Sequence, residues 1–342
     1  SGLPEEPLPR IDALVAAGVL PPSCAAFARG ELLPAAPAAA AVAAAGAAPG
    51  TAVRGAGAFA LGGGTDFFVR NPQPDEADFP SFELLDRRGS LKSVALLEPD
   101  SRGARRLELG AALSWREFFA SSLVRQFVPG IQDFEYLLAS PLIRERATIG
   151  GNIANASPVG DLTAMLIALS ASLRLERGSG GGEGRELALE ELFLGYKKLD
   201  LAPAAAGRAP EIIAAVILPA AVSDARFNFE KASKRERLDI AAVNSAAMFE
   251  LENGGLRIRG ARISAGGVAP VPLLLARTSA YLAGRAPDAE TAIAAARLAV
   301  TEVKPIDDVR GSADYRRRVL ERLVLAHFIT LFPGRGIEEA IA

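Results

Sequence analysis

The chain has 342 residues, half of them hydrophobic, and 38 Lys and Arg against 40 Asp and Glu give a net charge of −2. That length suits two or three domains, and the near-balanced charge argues against nucleic acid as a partner. A single cysteine, Cys24, and a single histidine, His327, exclude an internal disulfide and a four-cysteine iron–sulfur cluster, and argue against a histidine metal site or triad.

Residues 1–34 hold six prolines and one short helical pattern, Ile11–Ala17. The start is polar and acidic, without the basic region of a signal peptide, and reads as a linker or docking arm. The Ala-rich stretch 35–48 is interrupted by Pro37 and Gly46, so residues 38–48 predict a helix and linker, not a membrane span. The lone cysteine fits a reducing compartment, and a cytoplasmic location is expected. Short apolar runs follow at Phe59–Leu61, Phe82–Leu85, Ser93–Leu97 and Leu107–Ala112. Ser114 is placed to cap a helix over Trp115–Phe119, and Phe134–Ser140 predicts a second helix. A helix at 162–169 and a strand at Ser172–Glu176 come next, then the glycines of 178–184 as a hairpin tip. Glu190–Tyr196 is short and mixed in character.

Ile212–Leu218 is a β-branched strand closed by Pro219, and a domain boundary is expected near 220–225. Phe227–Lys231, Ala241–Leu251 and Leu256–Ser264 predict a strand meander with a hairpin turn at Asn253-Gly254-Gly255. Helices are expected at 288–302 and 312–331. Arg316-Arg317-Arg318 reads as a solvated helix face, and His327 as a packing residue rather than a base. The order of elements defines an α+β architecture in two domains. No internal repeat is visible.

Two glycine clusters carry the chemistry. The first is Gly62-Gly63-Gly64-Thr65-Asp66. The second is Thr148-Ile149-Gly150-Gly151-Asn152-Ile153-Ala154-Asn155-Ala156-Ser157-Pro158-Val159-Gly160-Asp161. Glycine lets backbone N–H groups approach a bulky anion. Thr148, Asn152, Asn155 and Ser157 can donate to phosphate or sugar oxygens, and Asp161 can accept from sugar hydroxyls or cap a helix. Together they suggest a dinucleotide whose diphosphate is held mainly by backbone amides. Gly55-Ala56-Gly57-Ala58-Phe59-Ala60 matches a loose dinucleotide fingerprint but lacks the strand–turn–helix context. No P-loop pattern occurs.

These motifs resemble the FAD-binding subunits and domains of the molybdenum hydroxylases, the xanthine dehydrogenase and carbon monoxide dehydrogenase group. The resemblance is carried by Leu61–Asp66, Ile143-Arg144, Ala147–Asp161, Lys231–Arg235, Asp239–Ala241, Gly266–Pro270, Pro305–Arg310 and Tyr315–Arg317, in the family's order. It implies an FAD-binding PCMH-type domain of two subdomains at 35–222. A small antiparallel sheet with helices, like the carbon monoxide dehydrogenase flavoprotein C-terminal domain, would follow at 223–334. It implies that Ala60, Leu61, Gly62, Gly63, Gly64, Thr65, Asp66 and Phe67 line the FAD diphosphate, with Thr148, Ile149, Gly150, Gly151, Asn152 and Asn155. By the same likeness Asp161 would hold sugar or ribityl hydroxyls, and Ile213 and Lys231 would lie near the flavin ring. The loop Ser233–Asp239 resembles the xanthine dehydrogenase version, which influences access of NAD. Leu142 and Glu145 stand where the family commonly has Gln and Asn, and Leu138 where an aromatic residue often approaches the ring. The implied role is an electron relay, with NAD as acceptor. The molybdenum cofactor and 2Fe–2S clusters would sit on partner subunits or domains of a hetero-oligomer. No catalytic side chain and no metal ligand is expected in this chain.

Overall fold

A computed structural model describes residues 7–17, 29, 59–72, 82–99, 101, 103–177, 184–203, 210–220 and 225–341. The Ala-rich stretch 38–48, Cys24, the glycines at 55 and 57 and most of the 178–184 tip lie outside the described residues. Helix α1, Pro7–Ala16, belongs to a separate N-terminal unit.

The main unit opens with a parallel pair, β1 (Phe59–Leu61) and β2 (Phe82–Leu84), and helix α2 (Thr65–Arg70) follows β1 directly. Strands β3 (Val94–Leu96), β4 (Leu107–Gly110), β5 (Ser172–Arg177), β6 (Gly184–Ala188) and β9 (Glu211–Leu218) form an antiparallel sheet in the order β3-β4-β9-β5-β6. The apolar run of β9 is buried at every residue, as a central strand covered on both faces requires. A short hairpin, β7 (Phe193–Gly195) and β8 (Lys198–Leu199), follows β6.

Between β4 and β5 lie α3 (Trp115–Ala120), α4 (Ser122–Phe127), α5 (Pro141–Arg146), α6 (Ile149–Ala154) and α7 (Asp161–Ala168). Ser114 and Glu117 form a reciprocal capping box at α3. The helix expected at Phe134–Ser140 is instead a tight 3₁₀ turn, Ile131–Leu137. Leu138 is extended, Ala139 is left-handed at φ 48°, and Ser140 caps α5 by accepting from Ile143 N at 3.2 Å. Pro141 explains the break, because it forces Ser140 out of the helical region and then starts a new helix.

The second sheet is the expected meander, β10 (Arg226–Ala232), β11 (Val243–Glu252), β12 (Arg257–Gly266) and β13 (Leu273–Leu274). Helices α8 (Ala276–Leu282), α9 (Ala289–Thr301), α10 (Ala313–Leu331) and α11 (Ile337–Ile341) complete this half. Ala292, Ala295, Ala296 and Ala299 of α9 are fully buried in one core with Leu320, Val324 and Phe328 of α10. Phe249 anchors the same core, with ring centroids 5.2 Å from both Phe328 and Phe332.

Helix α7 joins the halves. Every residue from Leu162 to Ala168 is buried, in a core shared with Leu173 and Val216 of the first sheet and with Phe229, Ala246 and Met248 of the second. Ser264 Oγ donates to Ala164 O at 2.6 Å, and Arg262 Nη2 donates to Ile167 O at 3.0 Å, satisfying carbonyls at the helix end.

Arg316 corrects the expectation of a solvated arginine face. It is buried, and its guanidinium donates to Ala242 O at 2.8 Å, to Gly267 O at 2.7 Å and to Asp308. The run of three arginines concealed this, because a helix turns successive residues to different sides: Arg317 is half-buried and paired with Asp314, and Arg318 is exposed. His327 is fully buried, as expected of a packing residue.

Candidate functional site

The first glycine cluster forms the turn between β1 and α2. Gly64 has φ +76°, a left-handed position that favours glycine. The backbone N–H groups of Gly63, Gly64 and Thr65 meet no acceptor among the described residues, and all three residues are half-buried. Successive amides left open in a tight turn make an anion-binding concavity. A Cβ on Gly62 would come within 2.5 Å of Thr148 Oγ1, and one on Gly63 within 1.4 Å of Arg146 O. The two motifs, 80 residues apart in sequence, are therefore in contact, and Thr148 lies beside the loop.

The second cluster behaves differently. Residues 147–150 run against 111–115: Trp115 N donates to Ala147 O at 2.9 Å, Ile149 N to Leu113 O at 2.9 Å and Gly150 N to Ala111 O at 2.8 Å. Gly151 N donates to Thr148 Oγ1 at 3.1 Å. These amides are engaged within the protein. The glycines also permit close packing, since a Cβ on Gly150 would lie 2.7 Å from Ala111 Cβ and one on Gly151 2.7 Å from Thr148 Oγ1. Asn152 Oδ1 accepts from Thr163 Oγ1 at 2.9 Å, tying α6 to α7. Thr148 Oγ1 accepts the Gly151 amide, which leaves its hydrogen to donate elsewhere.

Asp161 and Lys231 are brought together across the two halves. Lys231 Nζ donates to Asp161 Oδ2 at 2.7 Å and to Leu137 O at 2.9 Å, while Asn244 Nδ2 donates to Asp161 Oδ1 at 2.5 Å and to Val159 O at 3.2 Å. Burial pushes the Asp161 carboxyl up from its ordinary value, and the Lys231 ammonium and Asn244 amide pull it the other way. Both carboxylate oxygens already hold a protein donor. Ile213 is buried in the main core, paired in register with Leu175.

Asn155 is the meeting point of two cations that the motifs did not reveal. Lys197 Nζ donates to Asn155 O and, at 2.7 Å, to Asn155 Oδ1; Arg70 Nη2 reaches the same Oδ1 at 3.4 Å. Arg70 also pairs with Asp66 at 2.9 Å, one helical turn earlier. Lys197 sits in the β7–β8 turn with φ 56°. The signal available in the sequence was Gly195-Tyr196-Lys197-Lys198, a turn flanked by exposed aromatic and apolar residues, but nothing local links it to Asn155.

Leu138 is fully buried and Leu142 is 81% exposed, so neither departure from the family pattern lies in the glycine loops. Among the described residues no helix is long and apolar enough to cross a membrane, and no group of three or more acidic, His or Cys side chains could hold a metal ion. The donor set fits an anionic dinucleotide: open amides at 63–65, a hydroxyl at Thr148, and Arg70 and Lys197 as nearby positive charge.

The fold and this donor set define a flavin-binding α+β protein. Residues 89–221 match the family described as the FAD binding domain in molybdopterin dehydrogenase, and residues 228–331 match the CO dehydrogenase flavoprotein C-terminal domain. The chain belongs to this family of FAD-binding oxidoreductase subunits and domains of the molybdenum hydroxylases. It is 29% identical to the carbon monoxide dehydrogenase medium chain of Hydrogenophaga pseudoflava over 66% of this chain and 76% of that protein. It is 35% identical to xanthine dehydrogenase 1 of Arabidopsis thaliana over 43% of this chain, which spans only 10% of that protein. The structure of carbon monoxide dehydrogenase from Hydrogenophaga pseudoflava lacking the Mo-pyranopterin moiety matches with a TM-score of 0.66 and 27% identity, over 78% of this chain and 86% of that one.

Proposed function

We propose that this chain is the FAD-holding electron relay of a xanthine dehydrogenase-type molybdenum hydroxylase in the cytoplasm. NAD is its acceptor, and the molybdenum cofactor and 2Fe–2S clusters lie on partner subunits or domains of a hetero-oligomer. The observation that carries the reading is the run of open amides at Gly63–Thr65 beside Thr148. In this reading residues Ala60–Phe67 and the Thr148 hydroxyl take the diphosphate. Ile149, Gly150, Gly151 and Asn152 hold the wall behind them, and Asn155 faces the sugar–phosphate side. Asp161, Ile213 and Lys231 shape the deeper end through the buried ion pair and the β9 core. When bound, FAD exchanges single electrons from clusters for a two-electron transfer to the acceptor.

One observation supports NAD. The loop Ser233–Asp239 exposes Lys234, Arg235 and Arg237 against the carboxylates of Glu236 and Asp239, a surplus of one positive charge suited to an anionic dinucleotide. Asp239 holds that loop, its Oδ2 accepting from Arg235 N at 2.9 Å. A second reading, a flavin subunit that uses another acceptor and serves another substrate, is favoured by the longer match to the carbon monoxide dehydrogenase medium chain. The test is anaerobic addition of NADH to the purified, flavin-loaded chain. Bleaching of the flavin absorbance is the expected result. Reduction by dithionite but not by NADH would transfer the assignment to the second reading. Failure to bind FAD at all would sink both.

A further inference from the structure

We propose that Lys197 is an anion-binding residue of the cofactor site, held by Asn155 so that its charge neutralises a phosphate of the bound dinucleotide. The inference rests on the FAD reading above. Lys197 is half-buried and left-handed at φ 56°, a conformation that β-carbon-bearing residues rarely adopt without a reason imposed from outside the turn. Its ammonium makes both of its hydrogen bonds to Asn155, which leaves a third N–H without an acceptor among the described residues. Among the described residues no carboxylate forms an ion pair with it.

Lys231 shows how this fold pairs a buried lysine with a carboxylate. It is almost fully buried, and Asp161 sits 2.7 Å from its Nζ. Lys197 has no such counter-charge among the described residues. Its charged neighbours are Asp66 and Arg70, which pair with each other. Burial, and then Arg70, push the Lys197 ammonium below its ordinary value, which is the cost of leaving it there alone. A half-buried cation beside a second cation is unfavourable until an anion arrives. Asp66 and Arg70 stand on the helix opened by the Gly63–Thr65 loop, so the Lys197 charge and the open amides serve one ligand group. The Asn155 side chain is oriented by the same contacts: its Oδ1 accepts from both cations.

The test uses the whole chain, stripped of flavin, titrated with FAD and separately with riboflavin, which has the ring and ribityl chain but no phosphate. Lys197→Met should weaken FAD binding about tenfold, the effect of one charge-assisted hydrogen bond, and leave riboflavin binding unchanged. Lys197→Arg should restore most of the FAD affinity. The salt dependence of FAD binding should become shallower in Lys197→Met. FAD affinity unchanged in Lys197→Met, or FAD and riboflavin weakened equally, would overturn the inference. A wild-type chain that binds riboflavin as tightly as FAD, with no salt dependence, would overturn it too. Loss of all flavin binding by wild type would be a separate result, against the flavin reading itself.

Discussion

Gly63 and Gly150 are both glycines that let the protein pack against itself, but Gly150 N donates to Ala111 O while Gly63 N meets no acceptor among the described residues. The space a Cβ would need at Gly150 holds Ala111, and at Gly63 it holds the Arg146 carbonyl. Gly150→Ala should therefore destabilise the fold by about 1–3 kcal/mol, as overpacking of a tight contact does. Flavin should be lost only to the extent that unfolding is seen. Urea unfolding monitored with flavin content checks this: an unchanged midpoint with flavin gone would identify residues 149–151 as a direct cradle. The sequence made both clusters visible as glycine-rich turns. It could not show which amides remain open, because that depends on pairing of 147–150 with 111–115, a contact between segments more than 30 residues apart. Lys197 was hidden for the same reason, since its partners Asn155 and Arg70 come from two other segments.

At the scale of elements, α7 ties the two sheets together. It is apolar on every side, and its polar connections are confined to its ends and to the Ser264–Ala164 bond. At its start Asp161 depends on Lys231 of β10 and Asn244 of β11. Lys231→Met would leave a buried carboxylate without its cation, at a cost of about 3–5 kcal/mol. A second change, Asp161→Asn, should recover part of that loss. Chemical denaturation of both variants tests it, and a Lys231→Met chain as stable as wild type would refute the dependence. Most elements were legible from periodicity and capping: the meander, β9, α3 and the two long C-terminal helices. The exceptions were short. The turn at 131–137 was expected as a helix over Phe134–Ser140 and helix Pro141–Arg146 went unread, because segments of six or seven residues carry little periodicity and Pro141 alone marks the break between them. Helix Thr65–Arg70 was missed because six residues carry too little periodicity to register.

Across the whole molecule, a buried polar path connects α10 to Ser264, whose hydroxyl reaches α7. Asn228 Nδ2 donates to His327 Nδ1 at 3.1 Å, His327 Nε2 donates to Ser245 Oγ at 3.0 Å, and Ser245 Oγ donates to Ser264 O at 2.8 Å. The Asn228 bond requires an unprotonated Nδ1, so His327 is neutral with its proton on Nε2. Burial pushes the imidazole down to about 3 from an ordinary 6.5. The unfolded chain therefore binds a proton at a pH where the folded chain does not. His327 stabilisation is fully present above 6.5 and is lost as pH falls from 6.5 toward 3, at about 1.4 kcal/mol per pH unit. Unfolding free energies of wild type and His327→Gln between pH 7.5 and 5 should differ in slope by this amount. Parallel curves would mean that His327 is solvated or charged in the folded protein.

The burial of α7 between two sheets also bears on how such a protein can be inherited. An eight-residue apolar helix that needs both sheets to cover it cannot be parcelled out by gene rearrangement. Fusion to a larger polypeptide, or existence as a separate subunit, can move the two sheets only as one cassette. Insertions and new junctions are tolerated at the outer loops and the termini of that cassette, while the seam along α7 stays closed.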